Sequence, residues 1–210
     1  MTQRDFLQRI VEEEDRMAEL VSSLLEMSQL EAGTLKLTRS YCRLDTIVER
    51  AVAAAQGERL HIVISLPTEV PTVYVDRRRM EMVLRNILEN AQRYAGYGAE
   101  VEIVTRYACA QEDAGIYLSI ADNGPGLAQD LTERIFDRFY QVDGGRERSS
   151  SGVGLGLAIC RGFVEAHGGR IWAESRVESG GGAVFHIWLP PGLLHAPDAQ
   201  PDPFELGKAL

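Results

Sequence analysis

The chain has 210 residues, 45% of them hydrophobic and 25% charged, with a formal net charge of −9. That mixture suits one folded domain with an appendage and excludes wholesale disorder. The acidic balance argues against a nucleic-acid partner, because a phosphate backbone demands a basic face.

Residues 2–32 read as one long helix, with no Pro or Gly before Gly33, a C-cap candidate. Phe6, Ile10, Met17, Leu20, Leu24 and Met27 make one apolar stripe, and Leu7, Val11, Ala18, Val21 and Leu25 a second beside it. A face that wide needs a helical partner, as in a bundle or coiled coil. Glu12–Asp15 interrupts it, with Glu13 on the seam. From Thr34 the pattern changes. Leu35, Leu37 and Tyr41 suggest an alternating strand, and residues 43–56 a helix ending at Gly57. Residues 61–64 and 72–75 read as strands, with Pro67 and Pro71 bracketing their connection. Asp76 is the expected N-cap of a helix over 77–94 that buries Met80, Val83, Leu84, Ile87, Leu88 and Ala91. Strands follow at 101–107 and 116–121, then a glycine loop and a short helix near 131–138. The segment 141–151 is too hydrophilic to pack. A helix over 154–167 and strands at 170–175 and 183–189 complete the pattern, and the tail from Pro190 is expected to be loose. The fold class is α/β: a two-layer sandwich with helices on one face of a sheet, behind a long N-terminal helix.

Three segments carry chemistry. Asn86 and Asn90, four apart, stack on one helix face, where two neutral oxygens on a rigid frame can orient a hydrated magnesium ion. An isolated pair would more simply be surface asparagines, but asparagine is a weak helix former and glycine boxes follow. Asp122-Asn123-Gly124-Pro125-Gly126-Leu127 ends a strand, so a carboxylate there can accept the exocyclic amine of adenine. Gly124 and Gly126 let the backbone approach without a Cβ. Alone, this would be an ordinary Asx turn. Gly152-Val153-Gly154-Leu155-Gly156-Leu157 opens a helix, whose free N–H groups favour phosphate. No Walker lysine follows, so a P-loop is excluded. A Rossmann site fails too, because the glycines come late and no ribose acid follows.

In this order the three segments match the N, G1 and G2 boxes of the sensor histidine kinases. These belong to the superfamily that also holds gyrase, the heat-shock-90 chaperones and mismatch-repair ATPases. The resemblance runs from residue 2 to about Leu189. It implies a Bergerat ATP-binding fold over 34–190, preceded over 1–33 by the second helix of a dimerisation hairpin and followed by a flexible tail over 191–210. It implies ATP and Mg²⁺ as cofactors, Asn90 as the metal ligand, and Asn86 and Arg93 beside the phosphates. Arg93 stands where the family usually has lysine. Tyr94, Asp122, Gly124, Gly126 and Leu127 would surround the adenine. Phe139 would sit at the base of a lid over 141–151 that bears Arg146 and Arg148, and Gly152, Val153, Gly154, Leu155, Gly156 and Leu157 would meet the triphosphate. Phe136 and Phe139 are read as core anchors of that lid. Arg134 and Arg138, four apart, would face either phosphate or solvent.

Hydrolysing members of the superfamily carry a glutamate one turn before the magnesium asparagine. Here that residue is Asn86, and Glu89, the neighbour of Asn90, points about 100° away from it, so phosphoryl transfer is expected rather than efficient hydrolysis. The kinases phosphorylate a histidine on the first hairpin helix. None of His61, His167, His186 and His195 has that context, and His167 reads as structural. The expected acceptor therefore lies outside this chain, which would start downstream of it. Expected partners are a response regulator and a histidine-bearing helix or second copy docking on residues 2–32. A silent ATP-binding regulatory module and an anti-sigma-type serine kinase stay open as alternatives.

The cysteines Cys42, Cys109 and Cys160 have no metal-ligand spacing and read as small buried hydrophobes. No apolar run nears the ~20 residues of a membrane span, and no signal peptide opens the chain. A cytoplasmic location is expected, with the chain as the cytosolic part of a sensor if a membrane anchor exists elsewhere.

Overall fold

The computed structural model describes residues 3–55, 60–67, 70–96, 98–108, 114–141, 153–176 and 181–194. Gly57, Cys109, His195, the lid residues 142–151, Gly152 and the tail beyond Leu194 lie outside them.

Helix α1 (Gln3–Glu31) is the appendage. It ends as expected at Gly33, which adopts φ +62°. Gly33 N donates to Leu30 O, and Thr34 N to Gln29 O (3.2 and 3.0 Å), which satisfies the last turn's carbonyls. Phe6, Leu7, Ile10, Val11, Met17, Val21, Leu24 and Leu25 are exposed along it. Among its described residues, Met27 and Leu30 at its end pack on the core of the rest of the chain.

The sandwich behind it follows the predicted order. Helices α2 (Leu44–Ala55), α3 (Arg77–Ala95) and α5 (Gly156–Ala166) form one layer. The other layer is a five-stranded sheet built from β2 (Leu60–Ser65), β4 (Ala99–Ala108), β5 (Gly115–Asp122), β6 (Arg170–Ser175) and β7 (Ala183–Leu189). The strand order is β2-β4-β5-β7-β6, with β2 parallel to β4 and every other pairing antiparallel. Short strands β1 (Ser40–Arg43) and β3 (Thr72–Val75) pair separately. Alternation along β4 sends Val101 and Ile103 into the core and Glu100 and Glu102 to the open face. The core lies between that inner face and the buried stripes of α2, α3 and α5.

Two expected elements come out shorter. The strand suggested by Leu35, Leu37 and Tyr41 begins only at Ser40. Leu35 and Leu37 are half-buried in alternation, but Thr38 N is taken by the Asp76 carboxylate (2.8 Å), so no ladder forms there. The helix near 131–138 stops at Arg134, as α4 (Leu131–Arg134), and gives way to turns. The backbone then turns left-handed at Phe139 (φ 60°).

That break corrects the pairing of Phe136 with Phe139. Phe136 is buried, its ring edge-on to Phe185 (centroids 6.3 Å apart). Phe139 is 62% exposed. A spacing of three shares a face only while the helix continues, and here it does not. The two arginines of this segment find partners within the protein. Arg134 lies over the Tyr140 ring (4.8 Å), and Arg138 pairs with Glu31 of α1.

Candidate functional site

Helix α3 positions one wall of the site. Asp76 caps it, accepting from Arg79 N through Oδ1 (3.2 Å). The buried stripe Met80, Val83, Leu84, Ile87, Leu88 and Ala91 anchors it. At 100° per residue, Asn86, Asn90 and Arg93 fall within about 60° of one another, along one edge of that stripe. Asn86 and Asn90 are half-buried, and Arg93 and Tyr94 are exposed. Glu89 is exposed too and pairs with Arg85 (3.5 Å).

Helix α5 runs antiparallel beside it. Cys160 Sγ lies 3.7 Å from Val83 O and also bonds the Asn86 side chain. Burial pushes the Cys160 thiol up to about 12, so it stays protonated and inert. A Cβ on Gly156 would lie 3.5 Å from Asn86 Oδ1, which places the start of α5 directly over that asparagine. No side chain among the described residues caps α5. Just before it, Gly154 (φ +75°) is wedged against backbone: an added Cβ would lie 2.8 Å from both Phe139 C and Tyr140 O. Phe139 N donates to Gly154 O (2.9 Å). The second glycine box is thus tied to the segment after α4 through the backbone of Phe139, not through its ring.

Strand β5 supplies the third wall. Alternation puts Asp122 on the same face as Ile116, Leu118 and Ile120, toward the helices. The carboxylate is half-buried. Its Oδ1 accepts from Gly124 N (2.8 Å) and from Ala183 N on β7 (3.1 Å). With both bonds on one oxygen, the carboxylate is held in a fixed orientation. Gly124 abuts the end of α3, where an added Cβ would lie 3.1 Å from Ala95 Cβ. Gly126 takes φ +79°, and its missing Cβ would meet Ser175 Oγ at 2.7 Å. Leu127 N donates to that same hydroxyl (3.1 Å).

The three boxes therefore border one helix, the second glycine box at Asn86 and the first at Ala95. Nine residues of α3 separate those contacts, roughly 13 Å of rise. A cavity of about 350 Å³ is lined by Asp122 and Asn123, together with His61, Glu100 and Glu102 of the open sheet face. A second, of about 650 Å³, lies between α1, α5 and the turns after α4. Neither is lined by Asn86, Asn90 or Arg93.

Ser175, Gly182 and Ala183 also shape these walls without a signal in the three boxes, and Cys160, expected as a small buried hydrophobe, is one. The glycine run ahead of β7 was the available signal: a hairpin there brings Gly182 against β5 once β5 and β7 are seen to pair. An added Cβ on Gly182 would lie 1.9 Å from Asp122 O.

The family profile described as "Histidine kinase-, DNA gyrase B-, and HSP90-like ATPase" matches residues 75–193, more than half of the chain. The chain belongs to this ATPase family. The profile covers α3 and everything after it through Leu193, so all three boxes of the ATPase-family unit fall inside and α1 falls outside. Sensor protein KdpD of Escherichia coli is 40% identical over 172 residues, 81% of this chain and 18% of that protein. The signal transduction histidine-protein kinase BaeS of the same organism is 36% identical over 178 residues, 83% of this chain and 37% of that protein. Among solved structures, full-length ShkA in complex with AMPPNP superposes with a TM-score of 0.73 at 26% identity, covering 90% of this chain and 38% of that one. This ATPase-family chain thus spans less than two-fifths of each of these three relatives. No helix among its described residues is long and apolar enough to cross a membrane.

Proposed function

We propose that the chain is the ATP-binding catalytic region of a two-component sensor histidine kinase, which passes the γ-phosphate of ATP to a histidine outside these 210 residues. The product would then serve a response regulator. The observation that carries this reading is the seating of α3 between the two glycine boxes, Asn86 at one and Ala95 at the other. An extended nucleoside triphosphate laid along α3 would reach from the Asp122 carboxylate to the start of α5.

The residues fit such a ligand. Asp122 Oδ1 is held by two backbone N–H groups, which leaves Oδ2 for the exocyclic amine of adenine. Tyr94, Gly124, Gly126 and Leu127 border that end. At the other end, Asn86 and Asn90 offer neutral oxygens, Arg93 offers charge, and uncapped α5 offers its first amides. Asn90 would hold the metal. Bound Mg²⁺ would neutralise phosphate charge and fix the triphosphate oxygens. The protein's own contribution is positioning and charge. Arg93 and the amides near Gly154–Gly156 steady the phosphates, and Asn86, lacking a basic oxygen, leaves water unactivated. The exposed stripe of α1 is the surface for a histidine-bearing helix or a second copy.

Two measurements test this. Asp122→Asn should abolish ATP binding in calorimetry while leaving the circular dichroism spectrum unchanged; unaltered affinity would defeat the adenine assignment. Mixing the chain with a histidine-bearing hairpin and γ-labelled ATP should give acid-labile label on the hairpin. ATP binding without transfer would make the chain a silent regulatory module, and acid-stable label a serine kinase.

A further inference from the structure

We infer that Ser175 is a positioning residue for purine selection: its hydroxyl pegs the far end of the loop whose near end is Asp122. This rests on the reading of Asp122 as the adenine acceptor. Ser175 is the last residue of β6 and pairs with Ala183 across the β6–β7 ladder. That neighbour gives its N–H to Asp122 Oδ1 (3.1 Å). The Ser175 hydroxyl accepts from Leu127 N (3.1 Å) and occupies the space a side chain at Gly126 would need, 2.7 Å from the position of its missing Cβ. One ladder rung thus grips the loop 122–127 at both ends, by a backbone amide at Asp122 and by a side chain at Leu127.

The two grips differ in what can replace them. The amide of Ala183 belongs to the backbone and survives any substitution. Among the described contacts of Gly126 and Leu127 with β6, the hydroxyl is a lone side-chain atom. Without it, Leu127 N loses its acceptor and a gap opens beneath Gly126. The loop then slackens at its far end. Gly124 N, which helps to hold Asp122 Oδ1 (2.8 Å), sits on that same loop. The carboxylate consequently loses its fixed aim at the purine edge. Asn86 and the start of α5 lie roughly 13 Å away along α3, so the phosphate end is untouched.

The test compares the whole chain with Ser175→Ala, Ser175→Thr and Asp122→Asn by titration with ATP and GTP, and by phosphotransfer to a histidine-bearing hairpin. A lost hydrogen bond of ordinary strength predicts that Ser175→Ala binds ATP about tenfold more weakly. Its GTP affinity stays within twofold, so the preference for ATP collapses. KM for ATP rises with that affinity while kcat at saturation stays within twofold. Ser175→Thr, which keeps a hydroxyl, restores the preference. A purely structural serine would lower the melting temperature and leave the ATP:GTP ratio unchanged, and that result overturns the inference. Should the parent chain bind ATP and Asp122→Asn lose it while Ser175→Ala keeps the full preference, the peg fails and the adenine reading survives. Should Asp122→Asn bind ATP normally, both fall.

Discussion

His167 sets an acid limit on stability that can be worked out from its two bonds. It is 2% exposed at the end of α5. Its Nε2 accepts from Asp76 N (2.9 Å), and its Nδ1–H donates to Phe163 O (2.7 Å). Only the neutral ring with its proton on Nδ1 satisfies both. A second proton would turn Nε2 into a donor facing a donor. Burial is the largest cause that holds this histidine below its ordinary 6.5, and Arg39 adds to it against the opposing Phe163 carbonyl and Asp76 carboxylate. The unfolded chain therefore takes up the proton first as pH falls. Stability is fully present above about pH 6.5 and is lost below it until the folded group also protonates, at up to about 1.4 kcal/mol per pH unit. His186 is shifted in the same direction, again chiefly by burial, so the comparison is made in a His186→Gln background. Urea unfolding followed by circular dichroism at pH 7.5 and 5.5 should show a loss on acidification, with a ceiling of about 1.4 kcal/mol for one group that stays neutral when folded. His167→Ala should cost about 3 kcal/mol at pH 7.5, from two hydrogen bonds, an orphaned amide and a cavity. It should also remove most of the acid loss. If the His167→Ala protein keeps the parent's dependence on pH, the neutral-ring account is wrong.

Gly182→Ala should lower stability by about 3 kcal/mol in thermal melts, because φ is +110° and the new methyl would lie 1.9 Å from Asp122 O. A wild-type melting curve in that variant would refute the contact. Cys42 and Cys160 are buried and should resist iodoacetamide in the native state, with labelling by mass spectrometry appearing only in urea. Glu26→Lys should release the end of α1, since Glu26 pairs with Arg79 of α3. Hydrogen exchange over residues 24–31 should rise while that over β4 and β5 stays unchanged. Asn90→Ala should weaken nucleotide binding in Mg²⁺ while changing it little in EDTA; equal losses in both would argue against a metal role.

Much of this molecule is readable from local pattern. Helix α3 announces itself because six apolar residues recur at the helical period behind Asp76, and packing keeps that stripe buried. The same period leaves Asn86, Asn90 and Arg93 together along one edge of it. Strands β5 and β7 are legible as alternating runs. What stays hidden depends on partners far away in the chain. The strand expected from Leu35 is cut short by Asp76, 38 residues beyond Thr38. Phe139 leaves the core because its backbone turns left-handed against Gly154, a contact no helical spacing reports. Ser175 and Ala183 become part of the site only through the pairing of β6 with β7 and of β7 with β5, and nothing in any of these strands alone specifies its neighbour.

The footing of α1 has a mechanical consequence. Glu26, Met27, Leu30 and Glu31 occupy one side of a single helical stretch. They engage Arg79 of α3, the core, Gly162 of α5 and Arg138 respectively. Turning α1 about its long axis would disturb these four contacts together, because one rigid helix carries them all.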